Sequence, residues 1–169
     1  MNKPKPIITL DLDGVVVGGG YTEEWDRTPR RYFEAPTMDQ DIAKYITQLN
    51  ERYDIYYVSS RAFEDCGYTS IQWLLRHHIP VGLGVITGVS SVDKSTVVSA
   101  LRSSLHVDDN PVVVNSIKTR CGYIYPVMFL GRVCEESWWP ESRETLKNNY
   151  HATNWEDLVY LIRSLVSCL

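Results

Sequence analysis

The stretch PIITLDLDGVVVGGG, residues 6–20, constrains this chain more than any other. Ile7 to Leu10 is a short run rich in β-branched residues, the pattern of a central strand covered on both faces. It ends in two carboxylates, Asp11 and Asp13, and then in glycines. Buried charges are costly unless they are compensated, so the strand must deliver them to an edge where a partner offsets them.

The same arrangement recurs along the chain. DIYYVSSR, residues 54–61, reads as a second buried strand ending in hydroxyls at Ser59 and Ser60, followed by Arg61. GLGVITG is a short third strand, and LHVDDNP ends a fourth in Asp108 and Asp109. GYIYPVMFL is a fifth, which Pro126 assigns to an edge or a bulge. Helical patterns separate the strands. One starts at Thr37, with Gln40 completing a capping box; another is TSIQWLLRHHI, closed by Pro80; Ser91 can cap a third; the last opens at Thr153 with Glu156 three residues on. His77 and His78 fall at a helix end, and Trp138 and Trp139 cover a sheet edge. Residues 15–36 sustain neither period and read as a loop or small hairpin, a flap.

Strands alternating with helices predict a three-layer α/β sandwich with a mostly parallel sheet and right-handed crossovers. The 169 residues suit one domain over 1–169, large enough to bury roughly two-thirds of the unfolded surface. With 44% apolar and 22% charged residues, neither disorder nor a fibrous architecture is indicated. A net charge of −4 gives no global attraction to nucleic acid, so any such contact needs a local basic patch. Cys66, Cys121, Cys134 and Cys168 form no C-x-x-C pair, which argues against zinc and a disulfide scaffold and for the reducing cytoplasm. No apolar run reaches the roughly 18 residues of a membrane span, and no signal peptide or anchor is evident.

In parallel sheets ligands bind beyond the carboxyl ends of the strands, and the polar signals sit at those ends. Two aspartates two residues apart on an extended chain point the same way, so Asp11 and Asp13 can face one cavity. Asp108 and Asp109 nearby would repel them unless a cation intervened, and a sparse all-oxygen set with room for water and phosphate favours Mg²⁺. Ser59 and Lys94, the latter in the first turn of its helix, supply donors for phosphoryl oxygens. A carboxylate can then serve as nucleophile through an aspartyl phosphate, and Asp11 is well placed.

In order and in type these residues resemble the haloacid dehalogenase superfamily: DLDGVV at Asp11 to Val16, a strand ending in hydroxyl at IYYVSS, Lys94 leading a helix, and HVDDNP. The resemblance covers nearly the whole chain. It implies Asp11 as nucleophile, Asp13 as the acid that protonates the leaving group and then activates water, and Ser59 with Ser60 as phosphate contacts. It further implies Lys94 neutralising Asp11 and the phosphate. Mg²⁺ would sit on Asp11, the Asp13 carbonyl and one of Asp108 and Asp109.

Members of the superfamily usually carry cap domains; here the gaps leave room only for a short flap, so the site is nearly capless. The flap residues Tyr21, Trp25, Arg27, Arg30, Arg31, Tyr32 and Phe33 could stack on bases and contact phosphates. The SSR ending, with Arg61, resembles the phosphatase part of polynucleotide kinase-phosphatases. WWPESR followed by NWEDLVYLI resembles small deoxyribonucleotidase-like members. Both imply a phosphorylated substrate that is a nucleotide or a nucleic-acid end. The competing readings are a non-catalytic phosphate-recognising module and a haloacid dehalogenase; relatives of the latter kind generally lack an acid at the position of Asp13.

Overall fold

The computed structural model describes residues 4–18, 29–131 and 142–166. Strands β1 (Ile7–Leu10), β2 (Asp54–Val58), β3 (Gly84–Ile86), β4 (Leu105–Asp108), β5 (Tyr125–Phe129) and β6 (Tyr150–Ala152) form one sheet in the order β3-β2-β1-β4-β5-β6. Every strand pair is parallel. The connections carry helices α1 (Pro29–Glu34), α2 (Ile42–Asn50), α3 (Cys66–Arg76), α4 (Lys94–Ala100), α5 (Pro111–Arg120), α6 (Ser142–Asn148) and α7 (Trp155–Val166). The predicted α/β sandwich with a parallel, Rossmann-like sheet is the observed fold. No described helix is long and apolar enough to cross a membrane.

Alternation along each strand divides the interior in two. Ile8 and Leu10 of β1 and Leu105 and Val107 of β4 join a large apolar cluster with Ile46 of α2, Trp73 of α3 and Leu158 of α7. The residues between them, Thr9, His106 and Asp108, face the side covered by α4 and α5, where a smaller cluster contains Val98, Val113 and Ile117. The chain order explains the division: β1 to β3 build outward in one direction, then α4 crosses back so that β4 lands on the other side of β1. The switch point therefore lies between β1 and β4, where the register sets Leu10 beside Val107 and hence Asp11 beside Asp108.

Several local expectations shift. The segment after Asp109, read as a link, is α5: Pro111 takes the first helical position and the Asn110 side chain accepts from the Val112 amide, so capping overrides a β-branched run. Pro126 lies within an interior strand, with no bulge needed. β6 pairs only from Val127 onward, so the missing N–H of Pro126 faces a place with no ladder to complete. β6 was not anticipated from the sequence. Thr37 does not cap α2 but bridges Val17, and α2 begins at Ile42. Ser91 likewise precedes α4 in a turn whose amides at Asp93 and Lys94 bond to the Ser90 carbonyl. His77 does end α3, as expected.

The flap is stitched at its base: the Gly18 amide donates to the Pro36 carbonyl at 2.8 Å and Met38 to Val16 at 2.9 Å. Within it lies the short helix α1. Tyr21, Trp25 and Arg27, and the Trp138–Trp139 pair, fall outside the described residues, as do Cys134 and Cys168. Cys66 and Cys121 are free thiols.

Candidate active site

The chain leaves β1 with Asp11, whose amide donates to the Val107 carbonyl at 2.9 Å, and then turns at once. The amides of Val16 and Val17 both return to the Leu12 carbonyl, at 2.9 and 2.8 Å. Gly14 makes this possible. Its φ is +85°, and a Cβ there would lie 2.0 Å from Asp109 Oδ2, so only glycine lets the Asp109 carboxylate approach. Because of the turn, Asp11 and Asp13 do not lie on one extended face, and their carboxylates meet different partners.

Asp11 meets Lys94. The ammonium, at the start of α4 and almost wholly buried, lies 2.8 Å from Asp11 Oδ1 and 2.7 Å from Asp108 Oδ2. The bond to Asp108 is well directed, whereas the contact with Asp11 is off the hydrogen-bonding line, so the buried Asp11 Oδ1 has electrostatic attraction but no directed bond. Asp109, which keeps part of its surface open, completes a trio: Asp11, Asp108 and Asp109 each offer an oxygen within 4.8 Å of the others.

Asp13 meets Arg61. The guanidinium donates from Nε to Asp13 Oδ2 at 2.8 Å and from Nη2 to Oδ1 at 2.6 Å, a fork that fixes the carboxylate plane. Nη1 donates to Ser70 Oγ at 3.0 Å, and the Tyr32 ring of α1 covers the guanidinium at 4.5 Å while stacking on Phe63. Three of the five N–H groups of an arginine thus have partners among the described residues. Ser59 is buried at the end of β2, its Oγ accepting from the Arg61 amide at 3.2 Å and so keeping its own hydrogen to donate. Ser60, next along, is exposed.

The electrostatics follow from burial and from sharing one ammonium. Desolvation pushes Asp11 up to about 7, with Asp108 and Asp13 adding repulsion that Lys94 only partly offsets. Burial would also raise Asp108, but Lys94 and the His106 hydrogen bond overcome it and hold that carboxyl at about 2. Burial, then the charges of Asp108 and Asp11, drive Asp109 well above the ordinary carboxylate range. Burial disfavours the Lys94 ammonium, yet Asp108 and Asp11 outweigh that and raise its pKa. One cation serves several acids. The cluster is short of positive charge.

The structure therefore brings together Asp11, Lys94, Asp108 and Asp109, places the Asp13–Arg61 pair beside them, and sets Ser59 one strand over. Residues not anticipated from the sequence also contribute: Ser70 holds Arg61, together with Tyr32, which was expected to stack on bases and instead covers the guanidinium, and His106 donates to Asp108 from within β4. A histidine amid the apolar residues of a buried strand, two before an aspartate, was the visible signal for the last. Of the flap aromatics, Tyr32 packs on Phe63 and Phe33 lies under Arg76 at 4.9 Å, so both have partners in the fold itself. A separate cleft of about 430 Å³, lined by Lys118, Lys147 and Tyr150 among others, opens near the start of β5 and β6, away from these acids.

Neither a protein-family model nor a curated protein sequence matches the chain. Solved structures do. A haloacid dehalogenase-like family hydrolase from Streptococcus pneumoniae superposes with a TM-score of 0.61, covering 93% of this chain and 98% of its own at 10% identity. A protein from Burkholderia xenovorans LB400, described as a haloacid dehalogenase-like hydrolase, gives 0.64 over 96% of this chain and 99% of its own at 11% identity. At such identities the likeness defines the fold: this chain has the fold of haloacid dehalogenase-like hydrolases.

Proposed function

We propose that the chain is a Mg²⁺-dependent phosphomonoesterase of the haloacid dehalogenase superfamily, one domain over residues 1–169 with a short flap at 15–36, working through an aspartyl phosphate on Asp11. The observation that carries this reading is the buried Lys94 ammonium shared by Asp11 and Asp108, with Asp109 in reach and Asp11 Oδ1 lacking a directed bond. That arrangement suits a site completed by a cation and a phosphate.

The residues fit Mg²⁺. The donors are all oxygens, the charge balance lacks a cation, and Gly14 clears space for the Asp109 carboxylate. Asp11, Asp108 and Asp109, with the Asp13 carbonyl, would hold the ion, which supplies charge neutralisation for the phosphoryl oxygens. Asp11 attacks phosphorus and the bond to the leaving oxygen breaks as Asp13 delivers its proton there. Asp13 then takes a proton from the water that attacks the same phosphorus, freeing Asp11 and inorganic phosphate. Arg61 keeps the Asp13 carboxyl aimed and donates to the phosphate. Ser59 donates its hydroxyl hydrogen to a phosphoryl oxygen, with Ser60 adjacent. Lys94 lowers the repulsion between Asp11 and the incoming anion.

The substrate class we assign is a nucleotide or a nucleic-acid terminal phosphate, on the strength of the hydroxyl-x-Arg ending and of Tyr21, Trp25 and Arg27 in the flap sequence, and the protein is assigned to the cytoplasm. The test is phosphate release from nucleotides, 3′- and 5′-phosphorylated oligonucleotides and aryl phosphates, with Mg²⁺ and with chelator. Release that needs Mg²⁺ and is fastest on nucleotides or oligonucleotide ends is expected. No release from any of them ends the reading, and tight binding of an unhydrolysed phosphorylated ligand would favour a recognition module.

A further inference from the structure

On the α4 and α5 side of the sheet, a chain of buried polar groups runs from the loop before β4 to the acidic trio. Thr9 and His106 are register partners on β1 and β4, both fully buried. Thr9 Oγ1 lies 2.9 Å from His106 Nδ1, and His106 Nε2 lies 3.1 Å from Asp108 Oδ2. Ser103 Oγ donates to the Leu105 carbonyl at 2.7 Å and lies 3.1 Å from Thr9. Asp108 Oδ2 accepts from the Lys94 ammonium and can accept again from the ring, which puts a hydrogen on Nε2. In the neutral ring Nδ1 is then an acceptor, and the Thr9 hydroxyl, which also lies 3.2 Å from the Leu105 carbonyl, can donate to it.

We propose that His106 is a positioning residue that sets how tightly the acidic trio holds a divalent cation, through its bond to Asp108. The proposal rests on the trio being a cation site, as in the function proposed above. Asp108 Oδ2 is occupied twice, by the Lys94 ammonium at 2.7 Å and by His106. Among the described residues Oδ1 accepts only the Asn110 amide, at 2.9 Å. The acceptor capacity left on this carboxylate is therefore on Oδ1. His106 and Lys94 together pin Oδ2 and prevent the carboxylate from rotating about its axis. An apolar residue at 106 would leave Lys94 as the single anchor of Oδ2 and would strip the buried Thr9 hydroxyl of its acceptor in the ring. Partners of this kind behind ligating carboxylates typically change metal affinity by about 10–100-fold.

The experiment uses the full chain and Mn²⁺ as the probe, with affinity read by calorimetry and by the manganese resonance signal. His106→Leu removes the ring donor at similar size. His106→Gln keeps an N–H near the position of Nε2. We expect Leu to weaken Mn²⁺ binding by about tenfold or more, and Gln to restore most of it, because rescue depends on the donor and not on packing. In the wild-type protein, ¹⁵N spectra of the ring should show a slowly exchanging Nε2–H and an acceptor Nδ1. Unchanged Mn²⁺ affinity in the Leu variant, or a Gln variant as weak as Leu, overturns the proposal. So does a ring protonated at Nδ1 alone. Should the Leu variant not fold, the Gln variant and the ring spectrum still decide. Wild-type protein that binds Mn²⁺ yet cleaves no phosphomonoester ends the phosphatase reading and leaves this one standing. Hydrolysis with Mn²⁺ affinity indifferent to His106 does the reverse.

Discussion

The two faces of the sheet have opposite kinds of interior, although the same strands supply both. On one face Leu105 and Val107 of β4 join Ile8, Leu10, Trp73 and Trp155 in a continuous apolar cluster. On the other, His106 and Asp108 join Thr9, Asp11 and Lys94 in a chain of hydrogen bonds and ion pairs. A two-residue period lets one short strand serve both purposes. The first face gains stability in proportion to area, so losing a methylene there costs about 1 kcal/mol and alters no chemistry. The second is a set of mutually compensating groups, in which removing one member leaves the others uncompensated.

The comparison is tested most severely at Asp11. Asp11→Asn should lower turnover by about 10⁴-fold or more, yet the urea midpoint should not fall. The carboxamide escapes the desolvation that lifts Asp11 to about 7, and Lys94 keeps Asp108 as its partner. A large drop in midpoint would mean that Asp11 is a structural anchor and that the polar face is also a stabilising one.

Lys94→Met asks the converse question. Asp108 would be left ionised and buried with only His106 and the Asn110 amide, and Asp11 and Asp109 would lose their shared cation. Stability at neutral pH should fall by about 3–5 kcal/mol, as measured by urea unfolding, and by less in mild acid, where the acids can take protons. Equal losses at both pH values would point to lost packing rather than charge.

The wild-type protein should show the same shortage of positive charge as a pH dependence. Asp11 is raised from 3.8 to about 7 and Asp109 is raised too, so between about pH 4 and 7 the native state binds more protons than the unfolded chain. Stability in chelator should therefore decline as pH rises through that window, by an amount on the order of 2–4 kcal/mol. Asp108, held at about 2, works the other way: its contribution is complete above the ordinary carboxylate pKa and is lost only as pH falls toward 2. Saturating Mg²⁺ should flatten the decline. A flat profile in chelator, read by unfolding at successive pH values, would contradict the electrostatic account of this face.

How much of this was legible in the sequence depends on the range of the interaction. The strand ends were legible, because a β-branched run closed by carboxylates or hydroxyls carries both the buried strand and its polar tip within a few residues. Asp11, Ser59 and the Asp108–Asp109 pair emerged that way, and Lys94 from its place just after Ser91 at the head of a helical pattern. The different partners of Asp11 and Asp13 did not, since they depend on a turn at Gly14 that leaves room for a carboxylate 95 positions further on. Nor did His106, whose role depends on the register that sets it against Thr9. α5 was hidden for a local reason: Val112, Val113 and Val114 favour a strand, and only the Asn110 cap with Pro111 reverses the preference.

The finest distinction concerns the start of α7, on the apolar face. From the sequence, Thr153 with Glu156 reads as its capping box. The structure caps one residue later: Asn154 Oδ1 accepts from the Asp157 amide at 2.9 Å, and Asn154 Nδ2 donates to Asp157 Oδ2 at 2.7 Å. The choice follows from Trp155. With Asn154 as the cap, Trp155 takes the first helical position, buried against Phe129 with its Nε1 donating to the Val15 carbonyl at 2.9 Å at the flap base. Asn154→Ala should therefore cost about 1 kcal/mol in urea unfolding, and Thr153→Ala close to nothing. Neither should change Mn²⁺ affinity or turnover. Equal costs would mean that both caps are populated, and a loss of turnover in either would tie the apolar face to the chemistry through Trp155 and Val15.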